Sequence, residues 1–243
     1  MDPILVINCA ADTDRRTQFI QTSKGANITV INAIDARLGA GAFKPYLHLL
    51  RDHFWLGGDI KLGAFACFIS HRLAWQHMVD NNISRAVIAE DDSQLMAGAI
   101  NIPIEADLVF VNDRGVAWVP TGHIQDLLNP PQTCPRAIGG DGYILTLKGA
   151  KTLLKQSAID GVICGVDWYL AYAGLNTQNL KHRDVKAVSE IKKLWKILGA
   201  RPAMLTVFVA DRPLLQNNDV FGSSINHSKK INIKSFKQLI ENA

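Results

Sequence analysis

The stretch Arg85 to Asp92, R-A-V-I-A-E-D-D, constrains the fold more than any other, because a short apolar run ends abruptly in three consecutive carboxylates. Ala86, Val87, Ile88 and Ala89 read as a strand buried on both faces, since a run of this length rich in β-branched residues suits a covered sheet. The acids then fall at its C-terminal end. In open α/β sheets that edge is where ligands bind, and two carboxylates one residue apart, here Glu90 and Asp92, can share a hard divalent cation with substrate phosphates. Three adjacent acids repel one another unless a cation or hydrogen-bond donors offset them. A solvated acidic turn, in which Asp91 and Asp92 merely open the next loop, is the competing reading.

The rest of the chain is compatible with one substantial α/β domain. Its 243 residues can bury a sizeable core, and no apolar run approaches the roughly 18 to 20 residues of a spanning helix. Met1-Asp2-Pro3 leads directly into I-L-V-I without a basic n-region, so no signal peptide is expected. Cys9, Cys67, Cys134 and Cys164 form no C-x-x-C pair, which suggests neither a zinc knuckle nor a disulfide framework and fits a reducing cytoplasm. The net charge of +4 is modest but unevenly spread. Residues 181–201 hold seven basic and two acidic groups, whereas residues 1–180 hold 14 basic and 17 acidic. One local basic surface argues against a general nucleic-acid binder.

Ile4 to Asn8 reads as a first strand, Asp12 as the N-cap of a helix reaching towards Lys24-Gly25, and Asn27 to Ile31 as a second strand ending near Asp35. This β-α-β start lacks both G-x-G-x-x-G and G-K-[ST], so the dinucleotide fingerprint and the P-loop are absent. Lys61 to Val79 is apolar nearly all round, as expected of a buried helix, and carries Ser70 and His71. Taken alone, His71 also reads as a hydrogen-bonded core histidine. Gly139 to Leu147 is a glycine-rich turn entering a strand, Lys148 to Gln156 a short helix, and Asp167 a helix cap. The Lys-rich last fifteen residues read as peripheral.

In order and spacing these pieces resemble the glycosyltransferase family 25 enzymes, the lipooligosaccharide galactosyltransferase type, whose relatives include collagen galactosyltransferases. The series is Ile7-Asn8 with Arg15 and Arg16, Ala33 and Asp35, C-x-x-S-H-x-x-x-W at Cys67, Ser70, His71 and Trp75, and then E-D-D. It continues with Gly142, Tyr143, Gly149, Ala150 and Leu153, Val166-Asp167, and Ser223 to Ile225, spanning roughly residues 4 to 228. Two departures stand out: Gly63-Ala64-Phe65-Ala66-Cys67 replaces the usual G-E-I-G-C, and the first strand ends I-N-C where the family has I-N-L.

The resemblance implies an α/β, GT-A-like nucleotide-binding fold with a mostly parallel central sheet flanked by helices. Residues 1–228 would form a single domain and 229–243 a basic tail. It implies inverting sugar transfer, typically of galactose from a UDP-sugar, to a saccharide or lipid-linked saccharide acceptor, with lipooligosaccharide or surface glycan as product. Donor contacts are assigned to Asn8, Arg15, Arg16, Asp35, Ser70, His71, Asp91, Ser223 and Ser224. Mn²⁺ or Mg²⁺ is assigned to Glu90 and Asp92, with His227 as a further ligand, against the alternative of an exposed tail histidine. Such an ion would neutralise the diphosphate leaving group. A carboxylate base for the acceptor hydroxyl is also required, with Asp167 the first candidate and Asp141 the second. A helix cap and a turn residue are the respective alternatives.

Nucleotidyl transfer is a competing enzyme reading, although Asn8 to Arg15 has no glycine for a phosphate loop. A catalytically silent interaction module is the competing non-enzyme reading. The segment 181–201 is read either as an amphipathic helix docking on an anionic membrane from the cytoplasmic side, or as an ordinary surface helix.

Overall fold

The computed structural model describes residues 2–54, 57–96, 100–113, 122–124, 139–178, 189–217 and 230–243. Ser223, Ser224 and His227, and the basic residues Lys181, Arg183 and Lys186, lie outside these described residues.

The chain opens with β1 (Ile4–Asn8), α1 (Thr13–Thr22) and β2 (Ile28–Asn32), the expected β-α-β unit. Two 3-10 helices follow, Ala36–Leu38 and Ala40–Leu49, the second containing Pro45, and then come β3 (Asp59–Lys61), α2 (Leu62–Asp80), β4 (Arg85–Glu90) and β5 (Ser93–Leu95). β6 (Leu108–Phe110), β7 (Asn112–Asp113), β8 (Gly122–His123), β9 (Gly142–Thr146), α3 (Leu147–Asp160) and α4 (Val166–Ala173) continue the chain. α5 (Ser189–Leu198), β10 (Val207–Val209), β11 (Leu215–Asn217), β12 (Lys230–Asn232) and α6 (Ile233–Glu241) complete it.

A seven-stranded sheet in the order β2-β1-β4-β9-β6-β10-β8 organises the molecule. β2, β1, β4, β6 and β10 share one direction, and β9 and β8 oppose them. The sheet is thus mostly parallel, consistent with a GT-A-like fold. Alternation along β1 sends Leu5 and Ile7 into the core formed with α2 and α4, and Ile4 and Val6 into a second core with Phe19 of α1. Each fully buried aliphatic side chain of this kind contributes about 1.5–3 kcal/mol. α2 lies against β1, β2 and β4 with Phe65, Phe68, Ile69 and Trp75 buried, which explains why its sequence is apolar nearly all round.

Three expectations are revised. Asp12 does occupy the N-cap of α1, yet its carboxylate caps nothing and instead receives Arg37 through Nη1 and Nη2 at 2.9 and 3.0 Å. The Lys-rich C-terminus is no peripheral tail, because β12 pairs with β3 and α6 buries Ile233, Phe236 and Ile240 against Phe43 and Phe65. In α5 the apolar face expected at a lipid boundary packs on the core: Ile191 and Leu194 are buried, and Trp195, Ile197 and Leu198 are partly so. Arg201 turns inward too, bonding Asp160 Oδ2 at 2.8 Å and lying over the Tyr172 ring.

Candidate active site

The strand directions bring the acids together. β1, β2 and β4 end at one edge of the sheet, and because β9 runs against β4 its beginning lies at that same edge. Asp141, just before β9, therefore stands beside Glu90, and its carbonyl accepts from Glu90 N at 3.2 Å. Asn112, two residues past β6, donates Nδ2 to Asp141 Oδ1 at 2.5 Å, and Asn217 donates to Oδ2 at 3.5 Å. The asparagines were not singled out in the sequence, since nothing local marks a polar residue at a strand end as part of a site.

The three consecutive acids divide into different environments. Asp91 is buried and faces β1 and α1, accepting from Asn8 Nδ2 at 2.7 Å and from Arg15 Nη1 at 3.0 Å. Burial pushes its carboxyl up, and the Asn8 amide and Arg15 charge pull it back. Asp92 has no such support. Its Oδ1 is buried without a hydrogen-bond partner among the described residues, and burial first, then Glu90, Asp141 and Asp91, push its carboxyl up to about 8. An orphaned carboxylate oxygen among like charges fits a hard cation, which accepts several oxygen ligands and cancels that repulsion. Asp92 and Glu90 are the residues that could hold one.

Glu90 faces α2 through Oε1, which is 3.2 Å from His71 Nε2 and 3.6 Å from Cys67 Sγ. His71 is fully buried, and its Nδ1 lies 2.8 Å from Tyr143 Oη, which accepts Trp75 Nε1–H at 2.8 Å. An indole can only donate. With the tyrosine oxygen accepting from the indole, we assign its own hydroxyl as the donor to His71 Nδ1, which puts the imidazole proton on Nε2, towards Glu90. The core reading of His71 is thus realised, and the buried imidazole also lies against a site carboxylate. Gly140 lets this cluster close up: a Cβ there would lie 2.8 Å from Val166 Cγ1, 3.3 Å from Glu90 Oε1 and 3.4 Å from His71 Nε2.

Next to the acids is a cavity of about 570 Å³ whose lining includes Cys9, Asp12, Arg15, Asp35, Arg37, Cys67, Ser70, Glu90 and Asp91. Asp35 accepts from Arg37 N and from its guanidinium, which holds the Asp35 carboxyl below its usual range. Burial, then Asp35 and Asp12, push the Cys9 thiol up to about 11. Ser70 lines the cavity but its oxygen is used structurally, donating to Ala66 O and accepting from Ile34 N at 2.9 Å. Arg16 sits on α1 and is not among the lining residues. Asp167 lies in the first turn of α4, two residues past the N-cap Gly165, and is not itself the N-cap residue. Its charge raises the Cys67 thiol, after burial and Glu90, which puts it in the electrostatic neighbourhood of the site.

Residues 1–105, the segment that contains the E-D-D strand and most of the cavity wall, match the sequence profile described as Glycosyltransferase family 25 (LPS biosynthesis protein). That segment is similar to glycosyltransferase family 25. The chain is also 22% identical over 193 residues to "Procollagen galactosyltransferase 1" of Danio rerio, covering 65% of this chain and 29% of that protein. It is 21% identical over 188 residues to "Procollagen galactosyltransferase 2" of Homo sapiens, covering 70% of this chain and 30% of that one. The chain thus spans under a third of the length of these relatives. Both comparisons support a glycosyltransferase. No described helix is long and apolar enough to cross a membrane.

Proposed function

We propose that this chain transfers a hexose, galactose before others, from a UDP-sugar to a saccharide acceptor with inversion, aided by Mn²⁺ or Mg²⁺. The observation that carries the reading is Asp92: a buried, unpartnered carboxylate oxygen crowded by Glu90 and Asp141 at the edge of the sheet, beside a cavity of about 570 Å³. Glu90 and Asp92 would hold the cation, which when bound supplies the positive charge that makes the nucleoside diphosphate a competent leaving group. Arg15, held against Asp91, adds a fixed positive group at the cavity wall. Asp35 and Ser70, on the same wall, are the donor contacts this reading retains.

Asp167 is the proposed general base and Asp141 the alternative. The position of Asp167 in the first turn of α4, within electrostatic reach of Cys67, favours it, whereas the Asn112 and Asn217 amides occupy Asp141 from both sides. The Danio rerio and Homo sapiens relatives are named for galactose transfer, which supports galactose as the sugar. A lipid-linked acceptor at the cytoplasmic membrane face would meet Lys192, Lys193 and Lys196 by charge alone, since the apolar side of α5 is committed to the core. A panel of nucleotide sugars assayed for Mn²⁺-dependent hydrolysis tests the function. UDP-galactose should be consumed fastest, and hydrolysis of none of them would reject sugar transfer.

A further inference from the structure

Cys67 and His71 stand one turn apart on the same face of α2, and Glu90 meets them from the end of β4. Cys67 Sγ is 3.6 Å and His71 Nε2 3.2 Å from the same Glu90 oxygen, and the three ligand atoms lie within 4.8 Å of one another. Tetrahedral zinc, with bonds of about 2.3 Å to sulfur and about 2.0–2.1 Å to nitrogen and oxygen, requires ligand separations of about 3.6 Å for S to O and about 3.4 Å for N to O. The observed separations approach both values before any metal is bound. We infer that Cys67, His71 and Glu90 form a binding site for a thiophilic divalent cation, Zn²⁺ or Co²⁺, distinct in its ligands from the oxygen-only pair of Glu90 and Asp92.

The chemistry of the set is selective. A thiolate with an imidazole favours zinc over magnesium or manganese, which prefer carboxylate and carbonyl oxygens. Cys67 and Glu90 both line the cavity, so the fourth tetrahedral position opens onto it, the arrangement of three protein ligands and one exchangeable position. The second ring nitrogen of His71 already has its outer partner in Tyr143 Oη, itself held by Trp75, as metal-ligating histidines require. On binding, the thiol proton leaves to solvent and the imidazole moves its proton from Nε2 to Nδ1, so the Tyr143 hydroxyl keeps its own proton but rotates it away from His71 and its oxygen accepts from Nδ1–H. Because Glu90 serves both ligand sets, zinc draws it from Asp92 and should oppose any hard cation bound there. The inference does not depend on sugar transfer, as its test reads the metal alone.

The experiment is titration of the metal-free full chain with Co²⁺ and Zn²⁺. One equivalent of cobalt should produce a sulfur-to-cobalt charge-transfer band and the intense visible absorption of tetrahedral cobalt, both displaced by zinc. Cys67→Ser should lose the charge-transfer band and stoichiometric zinc binding, whereas Cys9→Ser and Asp92→Asn should keep them. In the wild-type chain, zinc should protect Cys67 but not Cys9 from alkylation by iodoacetamide, a readout that does not rely on any variant folding. A weak octahedral cobalt spectrum unchanged by Cys67→Ser, loss of the band in Cys9→Ser, or equal alkylation of Cys67 with and without zinc would overturn the inference.

Discussion

Arg15 Nη1 bonds Asp91 Oδ1 at 3.0 Å, with only 11% and 9% of the two side chains exposed. The middle acid of E-D-D is thereby tied into the fold, because Asn8 also donates to its second oxygen. Removing one partner of a buried pair strands the other charge, so Asp91→Ala should cost about 3–5 kcal/mol in urea unfolding. Asp92→Ala, which removes an unpartnered oxygen, should cost far less. Equal losses from the two variants would contradict the division of roles.

The pH dependence of stability follows from Asp92. An acid pushed up to about 8 in the folded chain, against about 3.9 unfolded, holds its proton more tightly when folded. Its contribution therefore weakens the fold as pH rises from about 4 to about 8. The metal-free wild type should lose stability across that window, and Asp92→Asn should flatten the slope and be the more stable protein at its upper end. Thermal unfolding in EDTA at both ends of the window measures this. Added Mn²⁺ should recover wild-type stability at the alkaline end and do little for Asp92→Asn.

Tyr143→Phe removes the hydroxyl that serves Trp75 and His71 together. Two buried groups lose their partner, at about 1–3 kcal/mol each. The proton of His71 is then no longer fixed on Nε2. Nitrogen NMR of His71 should show the Nε2–H tautomer in the wild type and a mixture in the variant, and a pure Nε2–H signal in both would refute the relay.

If Asp167 is the base, Asp167→Asn should keep UDP affinity and lose about 10²–10⁴-fold in transfer rate, since an amide preserves shape but accepts no proton. Asp141→Asn should instead disturb the Asn112 and Asn217 contacts and weaken UDP binding with it. The reverse pattern assigns the base to Asp141.

The position of the E-D-D edge was legible because a β-branched run ending in acids has few other places in an α/β sheet. The spacing already set Asp92 with Glu90 apart from Asp91, but the tie of Asp91 to Arg15 was not legible, since Arg15 is 76 residues away in sequence. Asp141 was legible as a turn residue and, through the family resemblance, as the second candidate base, but not as a neighbour of Glu90, because strand direction is not written in a strand's own sequence and the reversal of β9 is what carries Asp141 to the edge. In α5, Ile191, Leu194, Trp195 and Leu198 form a stripe that fits a lipid surface or a core equally well, and packing decided for the core. The C-terminal helix was missed for composition: its lysines drew attention from Ile233, Phe236 and Ile240, whose spacing of three and seven residues is that of a buried helical face.

In the proposed function Asp92 serves a cation that holds a nucleoside diphosphate. Calorimetric titration of UDP into the wild type and Asp92→Ala, each with Mn²⁺ and with EDTA, tests it most directly. The account predicts tight binding only for the wild type with Mn²⁺, while Asp92→Ala retains the wild-type circular dichroism spectrum. UDP affinity that is the same in EDTA, or undiminished in Asp92→Ala, would contradict it.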